Sequence, residues 1–296
     1  MVIVQRILPA MSKVKARDGM GRRSRFQRTP IGKRIFLSDR DFEILWWLYR
    51  YRYLRATHLA ALVEPRSEKR FAERLGDLYH ETGLIDRPAA QWRRFDARYQ
   101  PIVYELSAKG CRYLGCQRDL PHRAVTFGKG ERGGTTPHFD HAMMIVDALA
   151  ETEIETRRCR SRRFVPVDEI LTRLPNRPIT SAKHPLAIPV TVRPSNDLTA
   201  IKALIATDVI PDALYGVEHL VGDEKLYRFF ALECENSSPK SRSTGKLSSL
   251  AFKQAAYEAL LQSQAYRSAW GIPCLELRVL SAGTAHASTL ALGQTL

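Results

Sequence analysis

The stretch SEKRFAERLGDLYHETG, residues 67–83, decides how the N-terminal half is read. Ser67 is a helix N-cap residue, and Gly83 is the usual C-terminal stop. Between them Phe71, Leu75, Leu78 and Tyr79 recur at the three-and-four spacing of one buried helix face, which leaves Lys69, Arg70, Glu73 and Arg74 on other faces. A helix with an apolar anchoring face and a cationic outer face suits insertion into a DNA groove, because its guanidinium and ammonium groups then meet bases and phosphates.

Upstream, Ser38 caps an earlier helix whose first turn carries Asp39, Asp41 and Glu43, where helix N-termini favour negative charge. Phe42, Leu45, Trp46 and Tyr49 follow at helical spacing and predict its buried face. After a break at residues 51–55, a short helix from about Thr57 turns Leu59, Leu62 and Val63 inward, and Glu64 before Pro65 ends it. Downstream, Leu84-Ile85 and Ile102–Leu106 predict two short strands flanking a polar segment with Arg87, Arg93, Arg94 and Arg98. Ser107 caps a last helix through Leu114, stopped by Gly115. Three helices, a basic hairpin and a closing helix follow the winged helix-turn-helix order, so residues 35–116 are expected to form a DNA-binding domain. Its contacts would come from Ser67, Lys69, Arg70, Arg74, Arg87, Arg93, Arg94 and Arg98. Basic residues on an exposed helix also serve as plain solvated surface, and some winged helices dock proteins instead.

The surrounding chain agrees with a polyanionic partner. Its 296 residues suffice for two domains, and 46 Lys and Arg against 31 Asp and Glu give a net charge of +15. Residues 1–34 hold ten of these cations against the single acid Asp18 and predict a basic disordered arm. No apolar run reaches the length of a membrane span and the first thirty residues carry too few consecutive apolar positions for a secretory core, so a cytoplasmic protein is expected, associated with nucleoid or plasmid. Five cysteines scattered over the chain argue against a disulfide framework. Cys111 and Cys116 lack a second ligand pair for zinc and are expected to be buried free thiols.

Residues 117–137 look like a linker. Gly128, Gly130 and Gly133 formally match a phosphate loop there, without the preceding strand it requires. Residues 138–296 predict an α/β domain: a helix over His138–Thr156, a strand at Arg163–Val167, and an irregular insertion over 176–207. Paired strands at Val209–Leu214 and Tyr227–Glu235 follow, then one long helix over Gly245–Trp270 and a final strand at Cys274–Leu280. Pro211-Asp212 on one strand and Glu233-Cys234-Glu235 on the next resemble the PD-(D/E)xK nuclease-like core. That resemblance implies that Asp212 and Glu233 hold Mg²⁺ and that a lysine two residues after the Glu activates water. Position 235 is Glu. The catalytic set, if active, is then Asp212, Glu233, Glu235 and Lys246, with Lys253 as another lysine able to fold back and Asp147 or Glu151 as further carboxylates. Otherwise Asp212 merely ends a strand, and Glu233 and Glu235 pair with arginines. His138 and His141 share a helix face without a third ligand, and Gln262 with Tyr266 forms a QxxxY pattern found in some of these nucleases.

In their order, the Leu37–Leu45 segment, Arg74-Leu75 leading to Gly83–Arg87, Tyr104–Gly110, His138–Leu149, Pro211–Ala213 and Phe229–Glu235 resemble the bacterial replication-relaxation family. The resemblance covers about residues 37–280 and implies an α+β protein of a plasmid or other mobile element, recognising duplex DNA in replication, relaxation or maintenance. It also implies that an acidic pair at 233 and 235 is ordinary there, with no lysine lost. A metal-dependent nuclease or nickase and a dimeric transcriptional regulator with a degenerate nuclease-like domain are the alternatives. Duplex DNA is the expected partner, with a homodimer or replication and mobilisation proteins beside it. DNA binding needs no cofactor, and Mg²⁺ is called for only if the acidic site is active.

Overall fold

The computed structural model describes residues 23–93, 99–117, 136–173, 184–194, 203–235, 250–281 and 288–290. It is a mixed α+β protein whose described residues divide into two compact units, one ending at Phe139 and the other beginning at Asp140.

In the first unit the order is α1 (Asp39–Tyr51), β1 (Tyr53–Arg55), α2 (Ala56–Val63), α3 (Glu68–Asp77), β2 (Ile85–Asp86), β3 (Val103–Leu106) and α4 (Ala108–Gly115). A π-helical turn, Leu78–Thr82, prolongs α3, and a 3-10 turn, Ala89–Arg93, follows β2. The strands form an antiparallel sheet in the order β1-β3-β2. On α3 the predicted apolar face is buried: Phe71, Leu75, Leu78 and Tyr79 all lie inside. On α1 the buried stripe is displaced from the predicted one to Ile44, Leu45, Trp47, Leu48 and Tyr51. Phe42, expected inside, is half-buried and stacks on Tyr113 of α4 with ring centres 5.5 Å apart. The closing helix α4 can approach β2 only because position 110 is glycine, as a Cβ there would lie 2.1 Å from the Leu84 carbonyl oxygen.

The arm is not wholly free. Residues 23–33 form a strap against the α3 end of the unit. Arg23 bridges Asp77 (2.7 Å) and Glu81 (2.8 Å), while Lys33 reaches Asp77 (2.5 Å). Glu81 also accepts the backbone N–H groups of Ile31 and Gly32, each at 3.1 Å. Gly32 supplies the positive φ of +80° that this turn needs. Beneath, the Thr29 N–H donates to Nδ1 of the buried His80 at 3.0 Å. Phe26 packs edge-on against Trp92, so the strap also braces the 3-10 turn.

The second unit begins with the part of α5 (Thr136–Arg158) from Asp140 onward, followed by β4 (Arg162–Val165) and α6 (Val167–Thr172). Then come β5 (Ile188–Val192), β6 (Ile205–Val209), β7 (Ala213–Val221), β8 (Glu224–Glu235), α7 (Leu250–Ser263), α8 (Ala265–Trp270), β9 (Glu276–Ser281) and β10 (Ser288–Leu290). The main sheet has the order β10-β9-β8-β7-β4, with only β8 and β9 parallel, as their connection through α7 and α8 requires. Three predictions fail here. The strand expected over Val209–Leu214 is instead the end of β6 and the start of β7, with Pro211 and Asp212 between them. Part of the 176–207 segment read as irregular is a β5-β6 hairpin, whose alternating Ile188, Val190 and Val192 enter the core. The single long helix is divided at Gln264, which takes a left-handed conformation between α7 and α8.

Strand period two sorts β8 cleanly. Phe229, Ala231, Glu233 and Glu235 form one row, and its first two members share the core beneath α7 with Leu214, Tyr257, Leu260 and Trp270. Phe230 belongs to the opposite row and stacks on Tyr215, 5.2 Å away, which stacks in turn on Phe164 at 5.5 Å. Gly216 faces Phe229 across the strands, and a Cβ there would come within 2.9 Å of its ring.

Candidate functional site

The chemistry-bearing residues gather separately in the two units. On α3, the Ser67 hydroxyl accepts the Arg70 N–H at 3.4 Å and caps the helix. Lys69 and Arg70 are exposed there, joined by Arg66 from the preceding turn, which sequence inspection missed although Pro65 marks that turn. None of the three joins an ion pair among the described residues.

Arg74, one turn along, has a different environment. Its Nε and Nη2 grip the two oxygens of Asp41 at 2.8 and 2.6 Å, and Nη2 also reaches the Phe36 carbonyl. Asp41 is 1% exposed and accepts the Ser38 N–H and hydroxyl as well. Burial pushes the Asp41 carboxyl up, and the donors of Arg74 and Ser38 outweigh it and hold the group below the usual aspartate range. Arg74 is thus the clamp between α1 and α3. Arg87 is also internal: it lies over the Tyr79 ring at 4.0 Å, donates to the Arg25 carbonyl at 2.9 Å and reaches the Tyr104 hydroxyl at 3.3 Å. Arg94 and Arg98 lie outside the described residues, as does the side chain of Arg93.

In the second unit an acidic cluster forms where β7 and β8 meet α5 and α7. Asp212, just before β7, accepts the Cys234 N–H on Oδ2 at 2.8 Å and bonds His141 Nε2 through Oδ1 at 3.2 Å. Lys253 Nζ bridges Glu233 Oε2 (3.0 Å) and Glu235 Oε1 (2.8 Å), and the Tyr257 hydroxyl donates to Glu233 Oε1 at 2.6 Å. Lys253 and Tyr257 stand four residues apart on one face of α7, a spacing that would have linked them in sequence. Of the two lysines considered from sequence, Lys253 is the one present; Lys246 lies outside the described residues. From α5 the cluster receives His141, whereas Asp147 and Glu151 make other contacts and His138 is exposed.

The electrostatics follow from burial. Glu233 is 4% exposed, and burial together with the charge of Asp212 pushes its carboxyl upward. Burial pulls the Lys253 ammonium down, but the attraction of Glu233 and Glu235 outweighs this and raises it, so the lysine stays charged. The hydrogen bond to Asp212 raises His141. Oxygen donors of this kind are right for Mg²⁺, yet the arrangement does not fit one. Both oxygens of Glu233 and of Asp212 already bond protein groups, and Lys253 stands between the two glutamates where a cation would compensate them. Among the described residues no group of three His, Cys, Asp or Glu is placed to hold a metal ion.

The cysteines are free; Cys234 is buried, but Cys116 is exposed, contrary to its expected burial. Comparison of the chain with protein-family models, curated proteins and solved structures gives no match.

Proposed function

We propose that the protein binds duplex DNA and that its first unit is a winged helix which presents α3 to the groove. The observation that carries this is the contrast along α3. Phe71, Leu75 and the Arg74–Asp41 clamp fix the helix to its unit, while Arg66, Lys69 and Arg70 stand exposed and uncompensated at its N-terminal end. The element order and the β1-β3-β2 sheet support the winged-helix assignment. The Ala89–Arg93 turn, between β2 and β3, then belongs to the wing. The resemblance in sequence supports a role in the replication, relaxation or maintenance of a plasmid or other mobile element. Fluorescence anisotropy with a labelled duplex tests the interface. Lys69→Ala with Arg70→Ala is expected to weaken binding at least tenfold at moderate salt, and an unchanged affinity would remove α3 from it.

The acidic cluster favours a second unit that is nuclease-like in plan without being a nuclease, because Lys253, Tyr257 and His141 compensate its carboxylates internally. Supercoiled plasmid with Mg²⁺ or Mn²⁺ is the measurement. No nicking is expected; nicking that disappears in Asp212→Ala and Glu233→Ala would establish the nuclease instead.

A further inference from the structure

Residues 157–163 read RRCRSRR and join α5 to β4, which is an edge strand of the five-stranded sheet. The turn is held by its own backbone. Cys159 donates to the Thr156 carbonyl and Arg162 to the Cys159 carbonyl, both at 3.1 Å, while Leu220 of β7 donates to the Ser161 carbonyl at 2.8 Å. Two of its five arginines, though exposed, have partners within the chain. Arg163 grips Glu169 and Glu218, and Arg157 also has an internal contact. Arg158, Arg160 and Arg162 are exposed and join no ion pair among the described residues. Arg158 lies in the last turn of α5, where a cation complements the helix C-terminus. Arg160 and Arg162 lie beyond it and have no such structural reason. Across the strands from Arg162, burial and then the charges of Arg162 and Arg228 push the His219 imidazole down.

We propose that this turn is a second phosphate-contacting surface, in which Arg158, Arg160 and Arg162 grip the backbone of duplex DNA. It rests on the assignment of the chain as a DNA-binding protein. Three exposed guanidiniums on a backbone-pinned turn suit a polyanion, and each planar fork can take a phosphate through two hydrogen bonds. Contacts from arginine to phosphate are independent of DNA sequence and show themselves in salt dependence.

The experiment measures the affinity of the full chain for a labelled duplex across a series of NaCl concentrations. Four proteins are compared: wild type, Arg158→Gln/Arg160→Gln/Arg162→Gln, the same three positions as Lys, and Lys69→Ala/Arg70→Ala. The Gln triple is expected to reduce the steepness of log K against log salt by about 0.9 per lost contact, with thermal unfolding unchanged. The Lys triple should restore most of it, since charge is retained. An unaltered slope in the Gln triple alongside a loss in the α3 double variant would overturn the second surface and leave α3 standing. A loss in the triple with no change in the double would do the reverse. Wild type that binds no duplex, or binds single-stranded RNA in preference, overturns both.

Discussion

Arg70 and Arg74 lie one helical turn apart and have opposite fates. Arg70 is exposed, whereas Arg74 closes a fork on a carboxylate 33 residues away in the chain. Helical spacing tells which face a residue occupies, and that much was legible. It does not tell which cation a distant acid will claim, so Arg74 and Arg87 looked as available for DNA as Lys69. The same limit applied to the acidic cluster, where Asp212, Glu233 and Glu235 were evident but the choice of Lys253 required α7 to be placed. The distinction for Arg74 is measurable. Arg74→Ala leaves Asp41 buried without its partner, and urea unfolding should show a loss of about 3–5 kcal/mol. The salt slope of DNA binding should stay as in wild type. A stable Arg74→Ala protein with a shallower slope would return this arginine to the interface.

At the scale of elements, most helices of the first unit were readable in type, while the buried face of α1, the break at Gln264 and several short strands were not. The apolar face of α3 fell where expected. The three residues of β1 are too few to show alternation, and β5 and β6 gain their identity by pairing with each other across an intervening segment. The strap is another such element: its cations predicted disorder, and only the acids at 77 and 81 reveal a docking place. Its docking depends on pH through His80. Burial, then the charges of Arg87, Arg23 and Arg28, lower this imidazole from its ordinary 6.5 to about 4, with Asp77 opposing them. The folded protein therefore takes up the proton less readily than the unfolded chain. Stability is complete above the unfolded value and falls as pH descends from about 6.5 toward about 4, by up to about 1.4 kcal/mol per pH unit. Protonation of Nδ1 would also end its acceptance of the Thr29 N–H. In urea titrations across this range, His80→Asn, which keeps an acceptor but cannot titrate, should flatten the dependence. A slope equal to that of wild type would assign the effect elsewhere.

At the scale of the whole molecule, two α+β units carry complementary arrangements of charge. The first leaves cations unpaired on α3, and the second pairs Glu233 and Glu235 with Lys253 while leaving arginines out at the α5–β4 turn. The net charge of +15 suits a polyanionic partner without saying where one would be met. The strap bears on how the N-terminal cations can be tested. Starting the chain at Arg23 removes Arg6, Lys13, Lys15, Arg17 and Arg22 and should lower the salt slope with the melting temperature unchanged. Starting it at Ile35 takes away Arg23 and Lys33 as well, and the melting temperature should fall. Equal melting temperatures for the two shortened chains would show that the strap contributes nothing to folding. In the shorter of them Asp77 and Glu81 would lie bare at the foot of α3, turning a neutralised patch into one that repels DNA. Weakened binding there would measure an anionic surface newly made, more than a cationic one lost.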